Sequence, residues 1–599
     1  MANESILDFV IDHATNRRDE TAALTKVDGE YQPVTWSELW KRAGKIAAAL
    51  VRAGIEPGDR VGVICHTRIE WVQIDLGILA AGGVTVPIYP SNLATDCQYV
   101  LEHSESVLVF CEDDEQTAKL REHEAQLEGV KRVVQITGQP DEDEWVCSMD
   151  TLIGDGQVDE AVLAPRRASL TRESILTIIY TAGTTGRPKG VVLTHGNMLY
   201  EGEAVTQIDI VRRDDVQLFF LPLAHVFAKV LEVSWFSVGY VMAFAEGMGT
   251  IRQNLAEVRP TFMTGVPRVF ERFYSAVVDK GTAGGGLQKK LFLAALEMSQ
   301  RNGEAELRGE SLGLVDTIKF EVLKRVIFTK VGAGIQEILG GRMDRMLSGG
   351  APLAQKVAWF FRDAGLTLVE GYGLTETSAG TCVNRPSLNL IGTVGPALPK
   401  TEVKIAEDGE VLVRGPGVMR EYWKNQEATD ACLIDGWFHT GDIGELDAAT
   451  GALRITDRKK DILVTAGGKN VAPQKLENLF KTYKLISQVV VIGDRRKFLS
   501  ALVTLDADEL QKLATRFRLE GDYATLSQRP EINKAVAAIF EQGNQQLASF
   551  ETIKKFKILD KDLSVEDGTM TPKLSVRRKV VIARHQASID EFYGDEQFR

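Results

Sequence analysis

At 599 residues the chain exceeds what one hydrophobic core organises, so two or more domains are expected. A composition of 44% apolar and 26% charged residues reads as globular and soluble, and a net charge of −13 excludes a basic nucleic-acid-binding footprint. Six cysteines, at 65, 97, 111, 147, 382 and 432, lack CxxC pairing, which points to a reducing cytoplasm and no structural zinc.

The N-terminus is not basic, and Asp8 and Asp12 interrupt its first apolar run, so no signal peptide is expected. Residues 36–53 carry apolar side chains at helical spacing. Strands are predicted at Arg60–Cys65, Val84–Tyr89, Val107–Cys111 and Arg132–Ile136, with a helix at Ile69–Ala81 and further helical stretches nearby. This βαβα rhythm predicts a mostly parallel sheet covered by helices. The longest uncharged apolar segment, Val233–Ala245, is shorter than the ~20 residues a membrane span needs, so it reads as a buried element.

The most informative stretch is Tyr180-Thr181-Ala182-Gly183-Thr184-Thr185-Gly186-Arg187-Pro188-Lys189-Gly190, between the apolar runs Ile175–Ile179 and Val191–Thr194. Strand, glycine-rich loop, strand is the predicted order. Glycines let successive N–H groups point at one anion, while the threonine hydroxyls and Lys189 add donors and charge. The combination describes a phosphate cradle. A Walker A loop would end in Gly-Lys-Ser/Thr and open into a helix, and this stretch does neither. The loop resembles the signature of the adenylate-forming enzymes, which comprise acyl-CoA synthetases, luciferases and peptide-synthetase adenylation domains. It departs once, with Ala182 where serine is common.

That resemblance extends over about residues 25–580 and gives the later motifs their meaning. A helix is predicted from His195-Gly196-Asn197. In Phe219–Phe227, His225 matches a family position between the acyl pocket and the thiol tunnel; by itself, a lone histidine in an apolar run is ordinary core. Thr261–Phe270 resembles the segment that lines the fatty-acid tunnel of long-chain members, which makes Phe270, Phe273 and Tyr274 gate candidates beside the alternative of plain packing. Residues 281–335 read as a helical insertion. There Lys289-Lys290-Leu291-Phe292-Leu293 sets cations beside an apolar stripe, a pattern open to a solvated face or to peripheral membrane contact.

Ser348-Gly349-Gly350-Ala351-Pro352 is a backbone-exposing turn, and the resemblance lays Gly350, Ala351 and Pro352 against adenine. In Glu370-Gly371-Tyr372-Gly373-Leu374-Thr375-Glu376, Tyr372 offers a flat face for a purine between Gly371 and Gly373. Thr375 and Glu376 offer oxygen ligands, as Mg²⁺ requires, and Thr181 and Glu376 are the metal candidates. The resemblance makes Asp442 the ribose ligand, has Arg458 reach the nucleotide, and makes Lys460 the hinge. The domain boundary is drawn there: residues 1–458 as the AMP-binding adenylation domain, 459–599 as a small mobile α+β domain. Helix Pro473–Lys484 and strands Gln488–Ile492 and Ala501–Leu505 are predicted in the latter. The fold expected is α/β, with mostly parallel sheets covered by helices, a β-barrel-like subdomain, and the small C-terminal domain.

Near the C-terminus the chain departs from the family pattern. The usual catalytic lysine three residues after a proline is replaced by Ser575, and Lys573 is the candidate substitute, ahead of Arg577, Arg578 and Lys579. The implied reaction joins a long-chain fatty acid to AMP from ATP, with Mg²⁺ present, and then passes the acyl group to CoA. Catalysis falls to Lys189, His225 and Lys573. Thr181, Gly183, Thr184, Thr185 and Gly186 hold phosphate, and Gly467 and Gly468 approach CoA when the small domain turns. The 281–335 insertion and the Asp457–Asp461 linker, followed by Gly467-Gly468-Lys469-Asn470, point within the family to long-chain fatty acyl-CoA synthetases. Two alternatives remain at this level: a fatty acyl-AMP ligase loading a carrier protein, and a silenced nucleotide- and fatty-acid-binding protein. Oligomerisation and acyl chain length are left open by the sequence.

Overall fold

The computed structural model describes residues 3–181, 187–466, 469–571 and 576–594. The chain forms two compact units. The first comprises Met1–Lys404, Leu412–Thr440 and Leu446–Leu453; the second comprises Ile405–Val411, Gly441–Glu445 and Arg454–Arg599.

The first unit is built on two eight-stranded sheets. In one, Val216–Phe219, Val241–Phe244, Phe262–Gly265, Arg345–Ser348 and Thr367–Tyr372 pair in parallel, with antiparallel strands added at both edges. In the other, Arg60–Ile64, Val84–Ile88, Ser106–Cys111, Arg132–Gln135 and Ile175–Thr181 are parallel to their neighbours, and Lys189–Thr194 returns antiparallel to Ile175–Thr181. The predicted βαβα rhythm is therefore present twice. Strands buried on both faces explain the continuous Val/Ile runs that mark them in the sequence.

Helices cover these sheets. Trp36–Arg52 starts at Thr35, whose side chain accepts the Glu38 N–H while Glu38 reaches back to the Thr35 N–H. This reciprocal cap satisfies two otherwise orphaned donors. The helix buries Trp36, Leu39, Ala43, Ile46 and Leu50 on one face, the periodicity seen in the sequence. Val233–Ala245 divides into the end of the helix Val226–Val238 and the strand Val241–Phe244, and it is buried throughout except at the half-buried Ser237, Val238 and Val241. The segment 281–335 is helical almost throughout: Pro267–Ala283, Gly286–Leu307, Leu314–Leu323, one π turn and Thr329–Ile338. Among the described residues, no helix is long and apolar enough to cross a membrane.

The second unit has its own core. The helix Pro473–Lys481, the antiparallel strands Ile486–Ile492 and Leu499–Leu505, and the strand Ile553–Ile558 enclose Leu476, Phe480, Val489, Val503 and Phe540.

Candidate functional site

In the first unit the site grows from the ends of strands. Thr181 closes one strand and Lys189 opens the next, directly opposite it in register. The Thr181 hydroxyl faces the Lys189 carbonyl at 3.5 Å. The intervening Gly183, Thr184, Thr185 and Gly186 lie outside the described residues, as do Gly467, Gly468 and Lys573. The return of the loop is braced: the Tyr99 hydroxyl donates to the Pro188 carbonyl at 3.0 Å, and the Arg187 guanidinium lies 5.1 Å from the Tyr99 ring centre.

Lys189 is directed by an aromatic ring. The short strand Glu421–Tyr422 pairs antiparallel with Lys189–Thr194, placing Tyr422 opposite Val191. The Lys189 ammonium sits 3.8 Å from the Tyr422 ring centre. The Tyr422 hydroxyl donates to Glu376 Oε1 at 2.7 Å. Glu376 is also fixed through its backbone, since its carbonyl accepts the Met419 N–H at 2.8 Å. Thr181, Lys189 and Glu376, 195 residues apart at the extremes, thus belong to one constellation, and Tyr422 is its connector. Burial, with the neighbouring Glu376 carboxylate, pushes the Tyr422 phenol well above its ordinary range, so it remains a hydrogen-bond donor at every working pH.

The second strand-end group lies in the other sheet. Ser348 and Glu370 are register partners on adjacent parallel strands, so the turns after them both emerge at the carboxyl edge, where open α/β sheets bind ligands. Gly350, Ala351 and Pro352 are exposed on the first turn. Gly349 is buried, and a Cβ there would meet the Phe227 ring at 3.0 Å, so the ring would have to give way to any side chain. Tyr372 ends the second strand half-exposed, paired with Cys382. Gly373 then passes the backbone of Ala379 so closely that any side chain would strike the Ala379 carbonyl. Thr375 is buried and Glu376 half-buried in the next turn. Burial pushes the Glu370 carboxyl up to about 7, against the pull of the Leu353 N–H it accepts at 2.9 Å.

His225 is the N-cap of Val226–Val238, its Nδ1 accepting the Phe227 N–H at 2.9 Å. The Phe227 contact with Gly349 sets this cap beside the Gly350 turn. Phe270 is fully buried, edge-on to Phe361 at 6.2 Å. Tyr274 meets Phe360 at 5.0 Å, and Phe273 packs on the same cluster. Lys356 lies 5.8 Å from the Tyr274 ring centre, and burial lowers its ammonium to about 8.

Asp442 and Arg458 fall in the second unit, with Arg458 Nε 3.5 Å from Asp442 Oδ1. Asp442 is buried and Arg458 exposed. The neighbouring Lys459 is committed to Asp408 at 2.6 Å and Glu410 at 2.9 Å. Arg578 is likewise committed, to Glu477 at 2.6 Å and the Val491 carbonyl at 2.8 Å.

The donor set suits a hard cation. Among the described residues, no group of three or more His, Cys, Asp or Glu side chains is arranged to hold a metal. A hydroxyl and one carboxylate oxygen are ligands that Mg²⁺ accepts when it retains waters and takes its remaining ligands from a bound phosphate. Thr181 and Glu376 fit that pattern.

Comparison with known proteins identifies the family. Residues 11–423 match the model of the AMP-binding enzyme family, and residues 460–597 match that of the AMP-binding enzyme C-terminal domain. The chain belongs to the AMP-binding enzymes. The long-chain-fatty-acid–CoA ligase FadD15 of Mycobacterium tuberculosis is 37% identical over 99% of this chain and 98% of its own. Long chain acyl-CoA synthetase 3 of Arabidopsis thaliana is 29% identical over 94% of this chain and 87% of its own. Among solved structures, the adenylation domain of a carboxylate reductase from Mycobacterium chelonae superposes with a TM-score of 0.79, at 20% identity, covering 99% of this chain and 92% of that one. A Mycobacterium tuberculosis fatty acyl CoA synthetase gives 0.60 at 21% identity, covering 98% and 99%. The parallel sheets, the covering helices and the smaller C-terminal unit are those of this AMP-binding fold.

Sequence reasoning missed Tyr422 and Tyr99. Neither belongs to a recognisable motif, and their roles depend on strand pairing and on a contact 89 residues along the chain.

Proposed function

We infer that this AMP-binding enzyme is a long-chain fatty-acid–CoA ligase that forms acyl-CoA, AMP and pyrophosphate. The observation that carries the mechanism is the Thr181–Lys189–Tyr422–Glu376 constellation, which gathers hydroxyl, ammonium and carboxylate groups at one strand-loop-strand turn.

A fatty carboxylate and a triphosphate repel each other, so their approach requires fixed positive charge and aligned donors. Lys189, steered by the Tyr422 ring, supplies charge where the α-phosphate is attacked. The carboxylate oxygen forms a bond to the α-phosphorus, the α–β bridging bond breaks, and pyrophosphate leaves. Mg²⁺ held by Thr181 and Glu376 supplies Lewis-acid charge neutralisation when bound. Within the first unit Gly350–Pro352 and Tyr372 are the adenine candidates; within the second, Asp442, with Arg458 beside it, is the ribose candidate. The CoA thiol then attacks the acyl carbonyl; a C–S bond forms, the acyl C–O bond breaks, and AMP leaves. His225 lines the path between acyl group and thiol, and Phe273 and Tyr274 border the acyl pocket.

The two half-reactions need different groups around one carbonyl. A C-terminal domain with a separate core, taken as residues 459–599, can move as a body to exchange them. Lys573 serves the first half-reaction, and Gly467-Gly468 the second.

The test is AMP release from the purified chain with ATP, Mg²⁺, CoA and acids from dodecanoate to octadecanoate. AMP is expected only when all four components are present. Absence of CoA-dependent AMP with every acid in the series would refute the function.

A further inference from the structure

The helical segment 314–330 turns an apolar face outward. Leu314 and Val315 are each 78% exposed, Ile318 58%, Val322 57% and Val326 47%. Residues 314, 318, 322 and 326 succeed one another at four-residue steps, which on a helix form a continuous stripe. The opposite face is already satisfied: Phe320, Leu323 and Phe328 are buried against the first unit. The segment is therefore apolar on two sides, and among the described residues none covers the outward one. The helix Gly286–Leu307, which packs against it, adds Leu287, Leu291 and Leu293, all exposed.

Charge distinguishes among occupants. Within 314–330 the charged residues are Lys319, Lys324, Arg325 and Lys330 against Asp316 and Glu321, four positive and two negative, a balance of +2 in a chain of net −13. Asp316 is neutralised further by Arg301 at 2.5 Å. Lys289 and Lys290 lie beside Leu287 and Leu291 on the adjoining helix. A locally cationic rim around an apolar stripe, on an otherwise acidic protein, fits an anionic lipid surface: apolar side chains enter the headgroup–acyl boundary and cations meet phosphate.

We propose that Leu314–Val326 is a bilayer-docking face, with Lys319, Arg325 and Lys330 as its anionic-lipid contacts. The π turn at Lys324–Phe328 resets the helical phase so that the stripe continues past Val322 while Phe328 stays in the core. Its purpose, delivery of a bilayer-dissolved acyl substrate, rests on the proposed function; its existence and its test do not.

The experiment is co-sedimentation of the full chain with vesicles of equal parts phosphatidylglycerol and phosphatidylcholine, and with phosphatidylcholine alone. Binding is expected to the anionic vesicles, weakening as salt rises, with the neutral vesicles retaining little. The variant Leu314→Gln/Ile318→Gln/Val322→Gln should bind at least about tenfold more weakly, because three exposed apolar groups no longer leave water. Lys319→Glu/Arg325→Glu should lose binding to a similar degree and be insensitive to salt. Both variants change exposed side chains, so ATP–pyrophosphate exchange with a short water-soluble acid, or failing that their thermal unfolding, should match the parent. Three results would overturn the proposal. One is no binding of the parent to either vesicle. Another is undiminished binding of the apolar variant. The third is a parent that sediments as a dimer while the apolar variant sediments as a monomer, which would assign the stripe to a second copy. Ligase failure with intact vesicle binding would count against the function and leave this surface standing.

Discussion

Removing one hydroxyl tests the site most directly. Tyr422→Phe keeps the ring over which Lys189 lies at 3.8 Å and deletes only the donor to Glu376 at 2.7 Å. A hydrogen bond to a charged acceptor contributes about 1.5–3 kcal/mol. At ~1.4 kcal/mol per decade, a carboxylate freed to rotate should lower ATP–pyrophosphate exchange about 10- to 100-fold. Because the loss is one of carboxylate orientation, it should appear as a raised half-saturating Mg²⁺ concentration and recover in part when Mg²⁺ is increased. Exchange measured across an Mg²⁺ series, for Tyr422→Phe, Glu376→Gln and the double variant, completes a cycle. In the Glu376→Gln background, deleting the hydroxyl should cost less than about twofold, since the two groups act through one bond. If Tyr422→Phe carries its full penalty in that background, the hydroxyl acts elsewhere. If Glu376→Gln leaves the Mg²⁺ dependence unchanged, the metal-ligand assignment is wrong.

Other outcomes are open to direct measurement. Lys189→Met should reduce pyrophosphate exchange by about 10²–10³-fold, as expected for a fixed donor at developing charge, with little change in thermal unfolding. Lys573→Ala should impair adenylate formation while leaving the transfer of a supplied acyl-adenylate to CoA intact; equal loss in both half-reactions would remove Lys573 from the first step. His195 gives a pH prediction. Burial first, and Lys229 second, depress its imidazole to about 3 from an ordinary 6.5, so the folded protein holds it neutral while the unfolded chain protonates it. Its stabilising contribution is therefore present above pH 6.5 and is lost as pH falls toward 3. At pH 5 the loss is about 2 kcal/mol. In His195→Asn the amide oxygen can still accept the Ile6 N–H, which lies 3.3 Å from His195 Nδ1 in the parent. Thermal unfolding of that variant between pH 7 and pH 5 should fall less steeply than the parent's, and parallel curves would refute the argument.

Much of the fold is legible in the chain because local chemistry and tertiary role agree. Apolar β-branched runs became strands at 60–64, 84–88 and 175–181, and the periodic apolar residues after Thr35 became a capped helix. A glycine position such as 373 keeps its meaning because close passage of the Ala379 backbone leaves no room for a Cβ. Connections that depend on other segments were not readable. Tyr422 looks like any strand tyrosine until antiparallel pairing sets it over Lys189, and Arg578 looks like a spare cation until burial binds it to Glu477. The same limit applied to 314–326, where a stripe of apolar residues is indistinguishable from core until the surrounding protein fails to cover it.

The sequence alone thus determined the order of the motifs and the chemistry each could offer, because hydroxyls, glycines and carboxylates keep their properties wherever the chain takes them. The joining of Thr181, Lys189 and Glu376, and which apolar face meets solvent, were decided only by the packed sheets. Those relations are distances between residues far apart in the chain, and periodicity carries no information about distance beyond its own helix or strand.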